Sequence, residues 1–418
     1  MKFFKKPIFT GFAPNLTSRD VKTASQFLFF PWNWSSWKNG KNINLVENKL
    51  KSFFQTKYAL TFDSGRSALF FAIKALGGGV GDEILVQSYT CVVVTNAIKY
   101  AGAKPIYVDI NNDFNLNLED LKNKISPKTK ILIIQHTFGK PAELDKIIAI
   151  AKEHNLKIIE DCAHSLGAKY NSQLTGTFGD IGMFSFGSDK IISCVRGGAL
   201  ITNDDYLGSK LKENQEKLSM PANKLIAQEL LHFVFFFINK PIYNLFLGKA
   251  ILLLGKKLNL YGKIIYEAEK KGKAVSFYPS KLPNALASIL LNQLSDLNEV
   301  IDHQIKIAEL YQKNINNPII KKPQWNPESI WLRYTILTDQ PQKLHVVSKK
   351  HGVILGNWYD CPVAPADIDF SATDYVLGSC PNDEKLSQQT INLPTDRHIS
   401  IKDAEKIIRI VNNHSIKN

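Results

Sequence analysis

The stretch DSGRSALFFAIKALGGGVGDEILVQSYTCVVVTNAIKYAGAKPIYVDI, residues 63–110, decides the architecture. It is entered from YALTFDS, a short apolar run that ends in a Gly-containing turn. GRSALFFAIKALG has its apolar residues at helical spacing and stops at the GGGVGD loop. EILVQSY then reads as a strand, TCVVVTNAIKYAG as a helix and KPIYVDI as a strand. The same alternation continues: LEDLKNKI (helix), TKILIIQHTF (strand), AELDKIIAIAKEHN (helix), LKIIEDCA (strand), then IGMFSFGS and GGALITND, two more strands. Strands alternating with helices at this spacing imply an α/β domain with a mostly parallel central sheet flanked by helices. Ligands of such sheets bind at the carboxyl ends of the strands.

At 418 residues the chain holds a large domain and a smaller one. With 52 Lys+Arg against 38 Asp+Glu, its net charge of +14 suits an anionic partner: a phosphorylated ligand, a nucleic acid or an acidic membrane surface. Lys and Asn are abundant throughout, so biased composition explains the same charge. No finger or helix-turn-helix spacing occurs, and no nucleic-acid binding is expected. The five cysteines, Cys91, Cys162, Cys194, Cys361 and Cys380, are scattered without a CxxC pair. That argues against structural zinc and a disulfide framework, and for a reducing cytoplasm; no metal site is expected. MKFFKKPIFTGFAPN is basic but lacks a sustained apolar core, with Pro7 and Pro14 interrupting it, so no secretory signal is expected.

Residues 225–265 differ in texture. LIAQELLHFVFFFI is followed by NKP and by IYNLFLGKAILLLGKKLNLYGKII. Each apolar run is shorter than the roughly 20 residues a spanning helix needs. Two readings stand: a helical pair buried against the domain or in a dimer interface, and a monotopic hairpin. In the second, Lys240, Lys249, Lys256, Lys257 and Lys263 meet anionic headgroups while Phe and Leu enter the lipid. LPNALASILLNQLSDLNEVIDHQIKIAELYQKNI follows as one long helical pattern. From about residue 318 the tail mixes strands (WLRYTILT) and helices (QKLHVVSKKHG, IKDAEKIIRIVNNH) and reads as a smaller α/β domain. The expected division is a large domain over 1–275, and a linking helix with a small domain over 276–418.

Three elements at strand ends carry chemistry. DSGRS (63–67) runs from a strand through a turn into a helix, whose N-terminal N–H groups form a phosphate cradle. In IIEDCAHS (158–165), Glu160 and Asp161 end an apolar strand, where a carboxylate is costly unless paired. A protonated ring nitrogen is one partner; an N-cap or core hydrogen bond serves equally. In FSFGSDK (184–190), alternation turns Ser185 away from Phe184 and Phe186, and Lys190 follows in a turn before Gly197 and Gly198. An amine in a dry site is nucleophilic toward an aldehyde, whereas most lysines are solvated decoration.

Taken together these elements resemble the fold-type I pyridoxal-phosphate enzymes, and within them the DegT/StrS-type sugar aminotransferases. The likeness spans nearly the whole chain: residues 63–110, QHTFGKPAELDKIIAIAKEHNLKIIEDCAHSLGAKY, GTFGDIGMFSFGSDK and GSCPNDEKLSQQTINLPTD match in order and spacing. The resemblance implies that pyridoxal 5'-phosphate is the cofactor. Lys190 takes the place of the lysine that forms the internal aldimine and moves the proton in the 1,3-shift. Asp161 takes that of the carboxylate that keeps the pyridine nitrogen protonated. His164 stands where the family usually has Gln, near the cofactor's phenolic oxygen. Ser185 aligns with a phosphate-binding serine, and Gly65, Arg66 and Ser67 with the phosphate turn. Cys91 occupies the position of the ring that often covers the cofactor, with Tyr89 two residues earlier. The implied substrates are a nucleotide-linked keto sugar and an amino donor, glutamate, handled by a homodimer.

The chain departs from the family pattern in two further places. The cross-dimer phosphate ligand is an Asn in an NYR-like segment; here Pro279 and Lys281 fill the Asn and Arg positions of FYPSKLPNALASILLNQL. The GEGG after the lysine is replaced by VRGG (195–198). The expected activity is transamination of the keto sugar, in the cytoplasm or peripherally at the inner face of the membrane. The alternatives are a sugar-modifying enzyme of the same family without transamination, or a membrane-peripheral or regulatory homologue without turnover. Known sugar dehydratases of the group carry His in place of the lysine, which Lys190 argues against.

Overall fold

The computed structural model of the protein describes residues 8–9, 15–243, 246–263 and 265–415. Most of the basic N-terminal stretch read above for a signal lies outside these residues, as do the side chains of Lys249 and Lys256.

Seven strands form the central sheet: β1 (Tyr58–Phe62), β2 (Glu83–Gln87), β3 (Lys104–Val108), β4 (Thr129–Gln135), β5 (Lys157–Asp161), β6 (Ile181–Ser185) and β7 (Gly198–Thr202). Their order across the sheet is β1-β7-β6-β5-β4-β2-β3. All neighbouring pairs are parallel except those of β7, which runs antiparallel to both β1 and β6. The strands are apolar almost without interruption because both faces are covered. Alternation divides their side chains between two cores. Ile131 and Ile133 face helices α1 (Gly65–Ala75) and α2 (Val92–Tyr100). Leu132 and Ile134 face α3 (Leu144–Glu153). Each such side chain, fully buried, stabilises the fold by about 1.5–3 kcal/mol.

Two helices, α4 (Asn223–Ile242) and α5 (Phe246–Lys257), form the helical pair that both readings of residues 225–265 expect. α4 packs against the helix Ser18–Phe29 through a face that includes Ile226, Leu230 and Phe233. Further along the helix α4 exposes Phe237 and Ile238, and α5 exposes Leu253 and Leu254. α4 is 20 residues long, and only 39% of its most apolar 18-residue window is buried.

The long helical pattern is two helices, α6 (Asn284–Ser295) and α7 (Leu297–Asn314), separated at Asp296. Asp296 leaves helical geometry at φ −100°, ψ 3°. Its carboxylate is held by Arg19 (2.7 Å) and Arg397 (3.1 Å), which come from opposite ends of the chain. α6 packs into the core beneath β6 and β7, whereas α7 packs with the C-terminal strands β8 (Arg333–Leu337) and β9 (Thr390–Pro394). β8 and β9 pair antiparallel over a core of Ile307, Tyr311, Tyr334, Ile336 and Leu393.

The reversed strand β7 brings its first residue to the carboxyl end of the parallel strands. Gly198 pairs with both Ser185 and Phe62. A Cβ on Gly198 would lie 2.4 Å from the Ser64 carbonyl oxygen, so only glycine lets the turn after β1 close over the sheet. Gly198→Ala is expected to cost about 1–3 kcal/mol in urea unfolding. Gly79→Ala, where a Cβ meets nothing closer than 3.7 Å, is expected to be tolerated.

Candidate active site

Strand alternation separates the two carboxylates that end β5. Glu160 turns under the 174–180 loop and is fully engaged. It accepts from the backbone N–H groups of Gly176 (2.8 Å), Phe178 (2.6 Å) and Gly179 (2.8 Å), and lies 3.2 Å from His136 Nε2. His136 Nδ1 accepts from the Ala142 N–H at 3.1 Å. His136, Glu160 and Cys162 come close enough together to hold an ion. These hydrogen bonds instead make the imidazole and carboxylate a bracket for the loop.

Asp161 faces the other way, into a cavity of about 340 Å³ at the carboxyl end of the sheet. One carboxylate oxygen accepts from Gln135 Nε2 (3.0 Å), the other from the Ala163 N–H (3.0 Å). Burial pushes its pKa up, opposed by the Ala163 hydrogen bond and the Lys190 charge. Lys190 lines the same cavity from the loop after β6. Its N–H donates to the Gly187 carbonyl (3.1 Å), and its Nζ lies 3.5 Å from Asp189. The Asn15 side chain ties down the loop by donating to the Ile191 carbonyl.

At the other end of the cavity, Ser64 caps α1 by accepting from the Ser67 N–H at 3.2 Å. Gly65 and Arg66 are the first helical residues, whose N–H groups have no partner within the helix. A Cβ on Gly65 would lie 2.9 Å from Ser185 Cβ, so this N-terminus sits directly against the Ser185 side chain. No hydrogen bond among the described residues uses the Ser185 hydroxyl, which lines the cavity.

The remaining expected residues fall as follows. Arg66 lines the cavity, with its Nε 2.6 Å from Glu269. Ser67 does not line it; its hydroxyl donates to Asp63 at 2.6 Å. Cys91 lines it, and burial raises its thiol pKa. Tyr89 stands behind it. Its hydroxyl donates to the Trp358 carbonyl (2.9 Å) and accepts from the Tyr359 N–H (2.7 Å), and so positions the cavity wall 357–360. Lys281 reaches away, donating to the Glu216 carbonyl at 2.9 Å.

His164 also lines the cavity, its ring near-parallel to Phe138 at 5.6 Å and 7°. Its Nδ1 accepts from the Phe138 N–H at 3.5 Å, which leaves the proton of the neutral ring on Nε2. Burial, followed by the charges of Lys190 and Arg333, holds its pKa well below the usual value.

Among the lining residues not singled out in the sequence are Gln135, Trp358 and Tyr359, while Arg196 was noted only as part of VRGG. Gln135 ends the apolar strand TKILIIQ just as Asp161 ends its own, and that signal was readable. Trp358 and Tyr359 arrive from a loop of the C-terminal region, which no local pattern places.

The donor set fits pyridoxal phosphate: an amine, a buried carboxylate, and a helix N-terminus beside a free hydroxyl. Gln135 Oε1, buried at the Asp161 end, has no hydrogen-bond partner among the described residues. Ser185 ends the strand beside that of Asp161, and α1 follows β1, three strands from it, so the two groups of donors face one cavity from different strands.

The model of the DegT/DnrJ/EryC1/StrS aminotransferase family matches residues 31–235 and 247–412, and the chain belongs to that family. It is 32% identical over 307 residues to a GDP-perosamine synthase of Escherichia coli O157:H7, covering 73% of this chain and 71% of that one. It is 26% identical over 379 residues to a dTDP-3-amino-3,6-dideoxy-alpha-D-galactopyranose transaminase of Aneurinibacillus thermoaerophilus, covering 90% of each. The fold is that of DesV from S. venezuelae, solved with a ketimine intermediate: TM-score 0.73 and 23% identity over 94% of both chains.

His164 gives the stability a signed pH dependence. Its pKa in the folded protein is depressed below the ordinary 6.5, so below that pH the unfolded chain binds a proton the folded one refuses. Stability therefore falls as the solution is acidified below about pH 6.5, by up to about 1.4 kcal/mol per unit. His232, which burial pushes down to about 3, acts with the same sign. In urea melts from pH 7 to 5, His164→Gln is expected to flatten this slope and leave the part due to His232, His303, His345 and His414, whose pKa values burial also depresses. An unchanged slope would show that His164 is charged in the fold.

Proposed function

We propose that the protein is a pyridoxal-phosphate-dependent aminotransferase that moves an amino group from glutamate onto the keto group of a nucleotide-linked sugar. One observation carries the reading: the Lys190 amine and the Asp161 carboxylate face a single cavity whose far end is the N-terminus of α1. Bound pyridoxal phosphate supplies the electron sink that stabilises a carbanion. Ser185 and the N–H groups of Gly65 and Arg66 bind the phosphate. Asp161 holds the proton on the ring nitrogen, and that cation compensates the cost of burying the carboxylate. Lys190 Nζ would take the proton from the amino donor's α-carbon in one half-reaction and deliver a proton to the sugar carbon that receives the amine in the other. The Nε2–H of His164 donates to the phenolic oxygen, and the 357–360 wall excludes water. The names of the relatives, one GDP-linked and one dTDP-linked, support a nucleotide-linked sugar, as does the basic net charge. Lys190 on the cavity favours transamination over the readings without it.

The same reading includes a homodimer and a cytoplasmic site of action at the inner face of the membrane. From Leu231 to Tyr266 the sequence has five lysines and neither Asp nor Glu. That charge, on a hairpin exposing Phe237, Leu253 and Leu254, suits an anionic bilayer.

Lys190→Ala is expected to abolish both turnover and the visible absorbance of the lysine-bound cofactor; in the parent protein glutamate converts that absorbance. Absence of the band from the parent protein would refute the enzyme reading. The protein is expected to sediment with phosphatidylglycerol-containing vesicles, less so at high salt, and Phe237→Ser/Leu253→Ser/Leu254→Ser to abolish this. Unchanged sedimentation would refute membrane contact. A fall in molecular mass in that variant, without vesicles, would instead assign the hairpin to a second copy.

A further inference from the structure

The two places where the sequence departs from the family pattern after the lysine, VRGG and FYPSK, meet in space. Arg196 of the first is buried and lines the cavity. Its guanidinium lies over the rings of both Phe277 (4.5 Å) and Tyr278 (4.3 Å) of the second, which meet edge to face. Ser280 of that segment donates its N–H to Asp63 Oδ1 at 3.1 Å, and Asp63 returns its own N–H to the Ser280 carbonyl at 3.0 Å. The other oxygen of Asp63 takes Arg196 Nη2 at 2.7 Å and Nε at 3.3 Å. The segment in which the resemblance leads one to expect a cross-dimer phosphate ligand is here fastened, through Asp63, to the chain's own arginine.

Two features say that this arginine is aimed rather than merely buried. Val195, immediately before it, has φ +68°, a left-handed conformation that costs a β-branched residue about 1–3 kcal/mol and persists only where the surroundings impose it. The Ser193 hydroxyl holds the turn by accepting the Val195 N–H at 2.9 Å. Second, Nε and Nη2 are spent on Asp63, while no hydrogen bond among the described residues uses Nη1. Asp63 directly precedes the Ser64 cap, so the guanidinium is anchored at the α1 end of the cavity, opposite Asp161. The nearby Glu229 carboxyl is pushed by burial up to about 7, so near neutrality it opposes an incoming anion with less than a full charge.

We propose that Arg196 receives a phosphate oxyanion through Nη1, a phosphate contact that the chain supplies from within itself. The inference rests on the aminotransferase reading and names a ligand residue which that reading did not contain. The phosphate is the cofactor's, or one of the diphosphate of a nucleotide-linked substrate; both offer the same oxyanion to the same fork.

The test is binding to the full-length apoprotein, measured by fluorescence quenching, with three probes: pyridoxal phosphate, pyridoxal, and UDP. Arg196→Gln is expected to weaken pyridoxal phosphate about 10- to 100-fold while changing pyridoxal less than about twofold. A loss confined to UDP would keep the assignment and make the phosphate the substrate's. Equal losses for pyridoxal phosphate and pyridoxal, or no loss for any probe, would make Arg196 a structural partner of Asp63 and overturn the proposal. Should Arg196→Gln fail to fold, Arg196→Lys keeps the charge, removes the fork, and is judged by the same comparison. Failure of the parent protein to bind pyridoxal phosphate would sink the aminotransferase reading itself, an outcome distinct from all of these.

Discussion

A carboxylate held away from water at the end of a parallel strand is the constraint around which this molecule is arranged. Asp161 cannot be solvated there, and two neutral donors, Gln135 and the Ala163 N–H, compensate it only in part; its raised pKa records the remainder. The residue beside it shows what full compensation looks like: Glu160 takes three backbone N–H groups and faces an imidazole. The difference between the two is the difference between a structural bracket and a carboxylate facing a cavity. That this carboxylate shares its cavity with a lysine and a helix N-terminus makes the site read as one device.

The far end of the cavity depends on close backbone approach. Gly65 and Gly198 let the turn after β1, the end of β6 and the start of β7 touch, because at both positions a side chain would occupy the same space as a neighbour. The reversed strand β7 is what makes this possible, since it delivers residues 195–198 to the ligand end of the sheet. Arg196, the strained Val195 and the Asp63 pair are consequences of that reversal. They join the cavity to the 277–280 segment, and so to the region that follows the α4–α5 hairpin.

Much of the fold was legible because its strands are buried on both faces and its helices on one, which writes two distinct periods into the sequence. The split of α6 from α7 was not, because an aspartate inside a helical pattern is unremarkable locally. At the break its carboxylate meets Arg19 and Arg397, which are hundreds of residues apart. In the site, local pattern pointed to the Glu160–Asp161 pair, Ser185, Lys190 and the Gly65 turn, which lie at or just beyond strand ends. Residues alone could not choose between Glu160 and Asp161; strand alternation in the folded protein does. Nor could they choose between Tyr89 and Cys91: Cys91 reaches the cavity, whereas Tyr89 is spent on the Trp358–Tyr359 backbone. Arg196 was visible as an oddity, but its partner segment lies some eighty residues away, and only folding makes one feature of the two.

The claim on which the account turns is that one lysine among the chain's many carries the cofactor. It is tested most directly by incubating the apoprotein with pyridoxal phosphate, reducing the linkage with borohydride, and mapping the modified residue by peptide mass spectrometry. The account predicts a single phosphopyridoxyl group, on Lys190. Stoichiometric modification of any other lysine, with Lys190 unmodified, would contradict it.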